Sequence, residues 1–182
     1  KTIARNRAHF NFNLENFEKL EKIIKKNKFD YIINCEAYTN LIYCENNFNK
    51  VSKINTKLPI KLSYWSKKYN YRYIHISTDH IYISKKNVLN SENFKIGWHN
   101  KYSKSKFFAE KNLVNKKKIL IIRTNFVDNK YNKKSFLYWL HKCARIKKKI
   151  PLFFDMYTST IDLNTFSKIL IKLIVSTSFG IY

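Results

Sequence analysis

Glycine is almost absent from this 182-residue chain, with Gly97 and Gly180 its two examples. A loop whose backbone wraps a pyrophosphate needs several closely set glycines, so none is encoded between Lys1 and Tyr182. Proline is as scarce, with Pro59 and Pro151. No proline-rich linker, low-complexity hinge or internal repeat divides the chain. Cys35, Cys44 and Cys143 are odd in number and lack metal-type spacing. They read as ordinary thiols of a reducing compartment rather than a disulfide framework. His75, His80, His99 and His141 form no ligand motif either, so no metal is expected. No apolar run approaches the roughly 18 residues of a membrane-spanning helix. The opening KTIARNRAHF has no apolar stretch behind its basic residues, unlike a secretory signal. The expectation is a cytoplasmic protein without a membrane partner.

Acid is also in short supply. Twelve Asp and Glu face 36 Lys and Arg, for a net charge of +24. Clustered cations of that number would suit a nucleic-acid binder. These are mostly lysines, however, and they are scattered, with short runs at residues 116–118 and 147–149. Asn, Ile, Tyr and Phe are inflated alongside Lys, the bias of AT-rich coding. Charge alone therefore predicts a general attraction for anions and no specific nucleic acid.

What remains is an alternation of periods. NLENFEKLEKIIKKN sets Phe17, Leu20, Ile23 and Ile24 on one helical face, with Asn13 as N-cap. Val51, Ile54, Leu58, Leu62 and Trp65 have helical spacing, and Pro59 should kink or divide that helix. KYSKSKFFAEKNLV, KSFLYWLHKCARI and LNTFSKILIKLIV read as further helices. Between them, FDYIINC, YRYIHIS and KKILIIRT are short apolar runs that suit buried strands. Strands separated by amphipathic helices imply βαβ units and a doubly wound parallel sheet, in which "YIINC", "YIHIS" and "LIIRT" are parallel neighbours. Ligands bind such sheets beyond the carboxyl ends of the strands. Residues 83–99 lack periodicity and read as a loop at that edge.

Ser77 and Thr78 stand just past the carboxyl end of the YRYIHIS strand. Tyr102 and Lys106 are four apart, which puts them on one helical face. An ammonium beside a phenol favours the phenolate and lowers its pKa. A phenol so tuned exchanges a proton with a carbonyl or alcohol oxygen near neutral pH, with a Thr78 hydroxyl on the same oxygen. Tyr-x-x-x-Lys is weak alone, since Tyr64 and Lys68 repeat it. The strand-end Ser-Thr before it and the strand after it give it context.

The stretches DYIINCEAYTN, CENNFNKVSKINTKLPIKLS, IHISTDHIY, NKYSKSKFFAEK and LIIRTNF occur in the order found in one family. With FFDMYTSTIDLNTFSKILIKLI and GIY they run from about Asn13 to Tyr182. The chain resembles the extended short-chain dehydrogenase/reductases, nearest to the dTDP-4-dehydrorhamnose reductase type. The resemblance implies a Rossmann-like fold, an NAD(P)H cofactor and a nucleotide-sugar substrate, with homodimerisation left open. It implies a catalytic set of Thr78, Tyr102 and Lys106, with Tyr102 as proton donor and Lys106 on the nicotinamide ribose. Cys35, Ala37, Tyr38, Thr39, Asn55, Ser77, Arg123 and Thr124 fall at cofactor-binding positions, together with Tyr102 and Lys106. Thr78, Asp79, Asn125, Asp155 and Thr160 fall on the substrate side. Arg5 and Arg7 are candidates for a 2′-phosphate.

The chain departs from the family pattern at Cys35 and Glu36, where small residues are usual, and near Ser159, where a proline is missing. The acidic residue usual at Asn13 is gone as well. The glycine fingerprint itself is missing, which reads as a chain trimmed at both ends or as a degenerate protein. Residues 1–128 are then expected to be a partial dinucleotide-binding domain and residues 129–182 a partial substrate-binding region. An NAD(P)-dependent sugar-nucleotide reductase is the leading expectation. A non-catalytic regulatory or binding member of the same fold is the alternative, and a basic nucleic-acid module is a third.

Overall fold

A computed structural model describes residues 1–4, 6–83, 90–113, 118–127, 136–151 and 159–182. The chain divides into two compact units, Lys1–Arg123 with Phe179–Tyr182, and Thr124–Ser178.

The first unit begins with a short parallel pair, β1 (Ile3–Ala4) and β2 (Phe10–Asn11). Helix α1 (Phe17–Asn27) follows and buries Leu20 and Ile24, two residues of its expected apolar face. Its cap is Asn16, not Asn13: the Asn16 side chain accepts the Lys19 N–H at 3.0 Å. Asn13 instead takes the Glu15 N–H at 3.1 Å, a turn that precedes the helix. At the other end Lys28 is left-handed (φ 45°) and its N–H closes on the Ile24 carbonyl.

The main sheet holds β3 (Tyr31–Asn34), β4 (Arg72–Ile76), β5 (Ile119–Ile122) and β8 (Gly180–Ile181), in that order and all parallel. The three expected strands are therefore parallel neighbours. All residues of β4 and β5 are buried, as continuous apolar runs in the middle of a parallel sheet require. Between β3 and β4 run α2 (Leu41–Asn46), α3 (Phe48–Ser52) and α4 (Leu58–Lys68). A π-helical turn, Lys53–Lys57, separates α3 from α4. Pro59 does not break the chain out of helix: Lys57 and Leu58 keep right-handed helical backbone, the Leu58 N–H bonds to the Lys53 carbonyl across the π-helical turn, and Pro59 follows that turn directly. Val51, Ile54, Leu58, Leu62 and Trp65 are all buried. The last four join Leu20, Ile24, Tyr71, Tyr73 and Ile121 in one core cluster.

Helix α5 (Lys101–Leu113) crosses from β4 to β5. Its start is fixed by a reciprocal pair. The Asn100 side chain accepts the Ser103 N–H at 2.8 Å, and the Ser103 hydroxyl accepts the Asn100 N–H at 3.1 Å. This is a capping box with serine in the usual Glu or Gln place. It puts Tyr102 in the first turn of α5 and Lys106 one turn further.

The second unit contains β6 (Asn125–Val127), α6 (Phe136–Arg145), β7 (Thr160–Asp162) and α7 (Leu163–Val175). Strands β6 and β7 pair in parallel. Asp162 caps α7 by accepting the Asn164 and Thr165 N–H groups, each at 3.0 Å. Among the described residues, no helix is long and apolar enough to cross a membrane.

Candidate active site

Thr78 follows the end of β4 in extended conformation and caps a single 3-10 turn, Asp79–Ile81. Its hydroxyl accepts the His80 N–H at 3.3 Å and lies 3.4 Å from Asp79 Oδ1. It is also near enough to the Tyr102 phenol to lower its pKa. The His80 ring meets Tyr102 edge-on, with centroids 5.9 Å apart. The fold thus joins Thr78 and Tyr102, 24 positions apart in sequence, at the carboxyl edge of the sheet.

Lys106 is 2% exposed, and it is the lysine buried among the described residues. Its ammonium donates to the Ile76 carbonyl at 2.6 Å, at the end of the strand that leads to Thr78. Burial lowers its pKa to about 8, with Glu110 as the main opposing influence. The expected tuning of Tyr102 by this lysine is not what the structure contains. Burial raises the Tyr102 pKa, and the nearby Thr78 hydroxyl only partly offsets that; Asp79 adds to the rise. The reason is desolvation: packing α5 onto the sheet removes water from the phenol. At neutral pH Tyr102 is therefore a protonated acid, the form a proton donor needs.

The segment after β3 carries Cys35, Ala37, Tyr38 and Thr39. Ala37, Tyr38 and Thr39, with Tyr43 and Lys50, line an open cavity of about 750 Å³. Cys35 is exposed, though its thiol pKa is pushed up by partial burial. Asn55, 0% exposed, holds this segment in shape. Its Oδ1 accepts the Tyr38 N–H at 2.8 Å, and its Nδ2 donates to the Tyr38 carbonyl at 2.9 Å and to Ser105 Oγ at 3.0 Å. Ser105 in turn donates to the Tyr102 carbonyl at 2.6 Å, and Thr56 donates to the Ser105 carbonyl at 2.8 Å. Asn55 therefore serves as a clamp between the segment after β3 and α5. Replacing it with alanine orphans buried groups on both sides. We expect a loss of ~2–4 kcal/mol in urea unfolding. A loss below about 1 kcal/mol would show that water replaces the clamp without penalty.

Ser77 is buried, and its hydroxyl has no hydrogen-bond partner among the described residues. Nε2 of the fully buried His75 is in the same condition. The Nδ1 of that ring lies 3.2 Å from the Tyr73 hydroxyl, which accepts from Asn34 at 3.3 Å. Arg123, expected beside the nicotinamide, has its guanidinium committed elsewhere. It forks onto Glu110, with Nη2 at 2.8 Å and Nε at 3.1 Å from Oε2. Its Nη1 donates to the Tyr82 hydroxyl and to the Glu92 carbonyl.

In the second unit Asn125 and Thr160 are direct partners in the β6–β7 pairing. Thr124 is half-buried just before β6. Asp155 and Arg5 lie outside the described residues, and Arg7 is exposed with positive φ (55°). Sequence reasoning missed Ser105, Ser103, Asn100 and Glu110. The Asn-x-x-Ser spacing before an apolar run was a legible signal for two of them.

One family model, described as the RmlD substrate binding domain, matches residues 1–182, the whole chain. The chain belongs to that family. The RmlD domain here is similar in structure to a hypothetical dTDP-4-dehydrorhamnose reductase from Sulfolobus tokodaii. Identity is 26%, the TM-score is 0.88, and the match covers 100% of this chain and 66% of that one. A dTDP-4-dehydrorhamnose reductase from Bacillus anthracis str. Ames, solved in complex with NADP, shares the fold at 21% identity and a TM-score of 0.84. That match covers 94% of this chain and 61% of the other. An orthologue of that reductase type from Clostridium acetobutylicum matches at 19% identity and a TM-score of 0.84, over 93% of this chain and 60% of its own. The RmlD domain thus spans 60% to 66% of the length of these proteins. A comparison with curated proteins returns no match.

Proposed function

We propose that this chain carries the proton-transfer machinery of an NAD(P)-dependent reductase acting on a keto group of a nucleotide-activated sugar. dTDP-4-dehydrorhamnose is the first substrate to try, because the similar proteins carry that name. The observation that carries the reading is the hydroxyl pair Thr78–Tyr102 at the carboxyl edge of the sheet, with the Lys106 ammonium buried behind it on the Ile76 carbonyl.

A dinucleotide fits three features of these residues. The cavity beside Ala37, Tyr38 and Thr39 is open to a ligand. The Ser77 hydroxyl is buried and lacks a partner among the described residues. Lys106 brings a desolvated ammonium, with three donors, to the same strand end. No residue between Lys1 and Tyr182 is assigned to the pyrophosphate, since no glycine-rich loop is encoded there. Bound NAD(P)H supplies the hydride to the carbonyl carbon. Tyr102 gives its hydroxyl proton to the carbonyl oxygen, so that the C=O becomes a C–OH. The Thr78 hydroxyl hydrogen-bonds that oxygen as negative charge grows on it. The Tyr102 phenolate then regains a proton from solvent. Asp79, Asn125, Asp155 and Thr160 are assigned to the sugar side, Thr124 to the cofactor side, and the second unit to substrate binding.

The test is NADPH consumption on addition of dTDP-4-dehydrorhamnose, alongside NADPH binding by fluorescence. Saturable turnover is expected. Binding without turnover on any 4-keto sugar nucleotide would move the protein to the non-catalytic reading. Absence of dinucleotide binding would refute the cofactor assignment.

A further inference from the structure

Glu110 lies one helical turn beyond Lys106 on α5, so the two share a face. Its side chain is 0% exposed, and that of Arg123 is 3% exposed. A buried carboxylate is tolerated only when it is paired and hydrogen-bonded. Here the Arg123 contact does this: Nη2 and Nε both donate to Oε2, and Nε also reaches Oε1 at 3.3 Å. The same guanidinium continues outward. It covers the Tyr82 ring at 5.1 Å, donates to the Tyr82 hydroxyl at 3.2 Å and donates to the Glu92 carbonyl at 3.0 Å. The Tyr82 carbonyl takes the His99 Nε2–H at 3.0 Å, and Tyr82 bridges Ile96. The residues that follow Thr78 are thereby tied to α5 through one carboxylate.

Three titratable groups face Lys106. His75, on β4, is held neutral by burial. Cys35, at the end of β3, is also kept neutral at pH 7 by burial. Glu110, on α5 itself, is the anion among them. We propose that Glu110 is a positioning residue for two cations: it fixes Arg123, which anchors Tyr82 and Glu92 beside the helix, and it retains Lys106 as a buried ammonium. The inference concerns the same lysine as the proposed function, but its test needs neither substrate nor dinucleotide.

The readout is amine labelling of Lys106 in the whole protein as a function of pH, quantified by mass spectrometry. The wild-type midpoint is expected near pH 8. Glu110→Gln keeps the size and one carbonyl acceptor but removes the charge. Its midpoint is expected to fall by about one pH unit, which makes Lys106 about fivefold more reactive at neutral pH. A merely structural role predicts the opposite sign: loosening the fold hydrates Lys106 and lifts the midpoint toward the ordinary lysine value. Where the single variant fails to fold because Arg123 is left buried and unpaired, the double variant Glu110→Gln, Arg123→Gln replaces the ion pair with two amides. A smaller fall in the same direction is expected there, because the Arg123 charge leaves together with that of Glu110. Arg123→Lys keeps the charge but breaks the fork. It should speed tryptic cleavage at Lys95 several-fold while the Lys106 midpoint stays in place. An unmoved or raised midpoint in the charge-removing variants, or cleavage unchanged in Arg123→Lys, overturns the proposal.

Discussion

Replacing Tyr102 with phenylalanine is expected to cut turnover by a factor on the order of a hundred or more, the scale of lost general acid catalysis. NADPH affinity should stay nearly constant, because the change removes one oxygen from a ring held largely by packing. The hydroxyl that is lost is the neighbour of Thr78, and at neutral pH burial keeps it protonated. In the proposed reaction it is the donor for an oxygen that must gain a proton as C=O becomes C–OH. Its protonation also sets the pH behaviour. With the Tyr102 pKa raised, the acid form persists beyond the ordinary range of a phenol. The alkaline limb of kcat/KM should then come from Lys106, which loses its proton from about pH 8. Activity that needs the ammonium is intact below that value and declines above it. Turnover of Tyr102→Phe at the wild-type rate, with NADPH bound, would remove Tyr102 from the chemistry.

The framework of this site was legible because its strands are buried on both faces and so read as unbroken apolar runs. YRYIHIS and KKILIIRT became β4 and β5 for that reason. The i, i+4 relation of Tyr102 and Lys106 was legible too. What each side chain does there was not. Pairwise spacing on a helix says that a lysine and a tyrosine are neighbours. It does not say that a sheet has removed water from both, and desolvation proved larger than their mutual effect. Asn55 shows the same limit. Its partners are Tyr38 and Ser105, 17 and 50 positions away, so nothing local marks it as a clamp. Arg123 follows a strand in a position that faces ligands in such folds. Its buried partner Glu110 lies on the crossover helix, and only the packing of that helix reveals the pair. Asn13 and Asn16 were equally good caps by residue type. The choice was made by where the first backbone turn closes.

Replacing Lys106 with methionine is expected to abolish turnover and to stabilise the ligand-free protein. The two effects have one cause. The lysine is 2% exposed and its pKa in the fold is about 8, against 10.5 for the free side chain. A gap of that size means that holding the ammonium inside the fold costs ~3 kcal/mol at neutral pH. Below about pH 8 both folded and unfolded chains carry the proton, and the full cost is present. Between that value and 10.5 the folded state gives up its proton first, so the unfolded state binds more protons and stability rises with pH. Methionine has a similar length and no charge to desolvate. Against this gain stands the Ile76 carbonyl, which loses its 2.6 Å partner, at a cost of ~1–2 kcal/mol. The net expectation at pH 7 is a gain of ~1–2 kcal/mol, or a Tm higher by about 2–8 °C for a chain of this size. The difference between variant and wild type should shrink as pH rises from 8 toward 10, since the wild type is relieved of its cost and the variant has none to lose. Thermal melts of both proteins across that range measure it. A variant less stable than wild type at pH 7, or a difference that grows with pH, would mean that the ammonium is a net stabilising element of the fold. The lysine would then be explained without a ligand. A stabilised but inactive variant would instead show a buried charge retained against the interest of the fold, which is the signature of a residue kept for its chemistry.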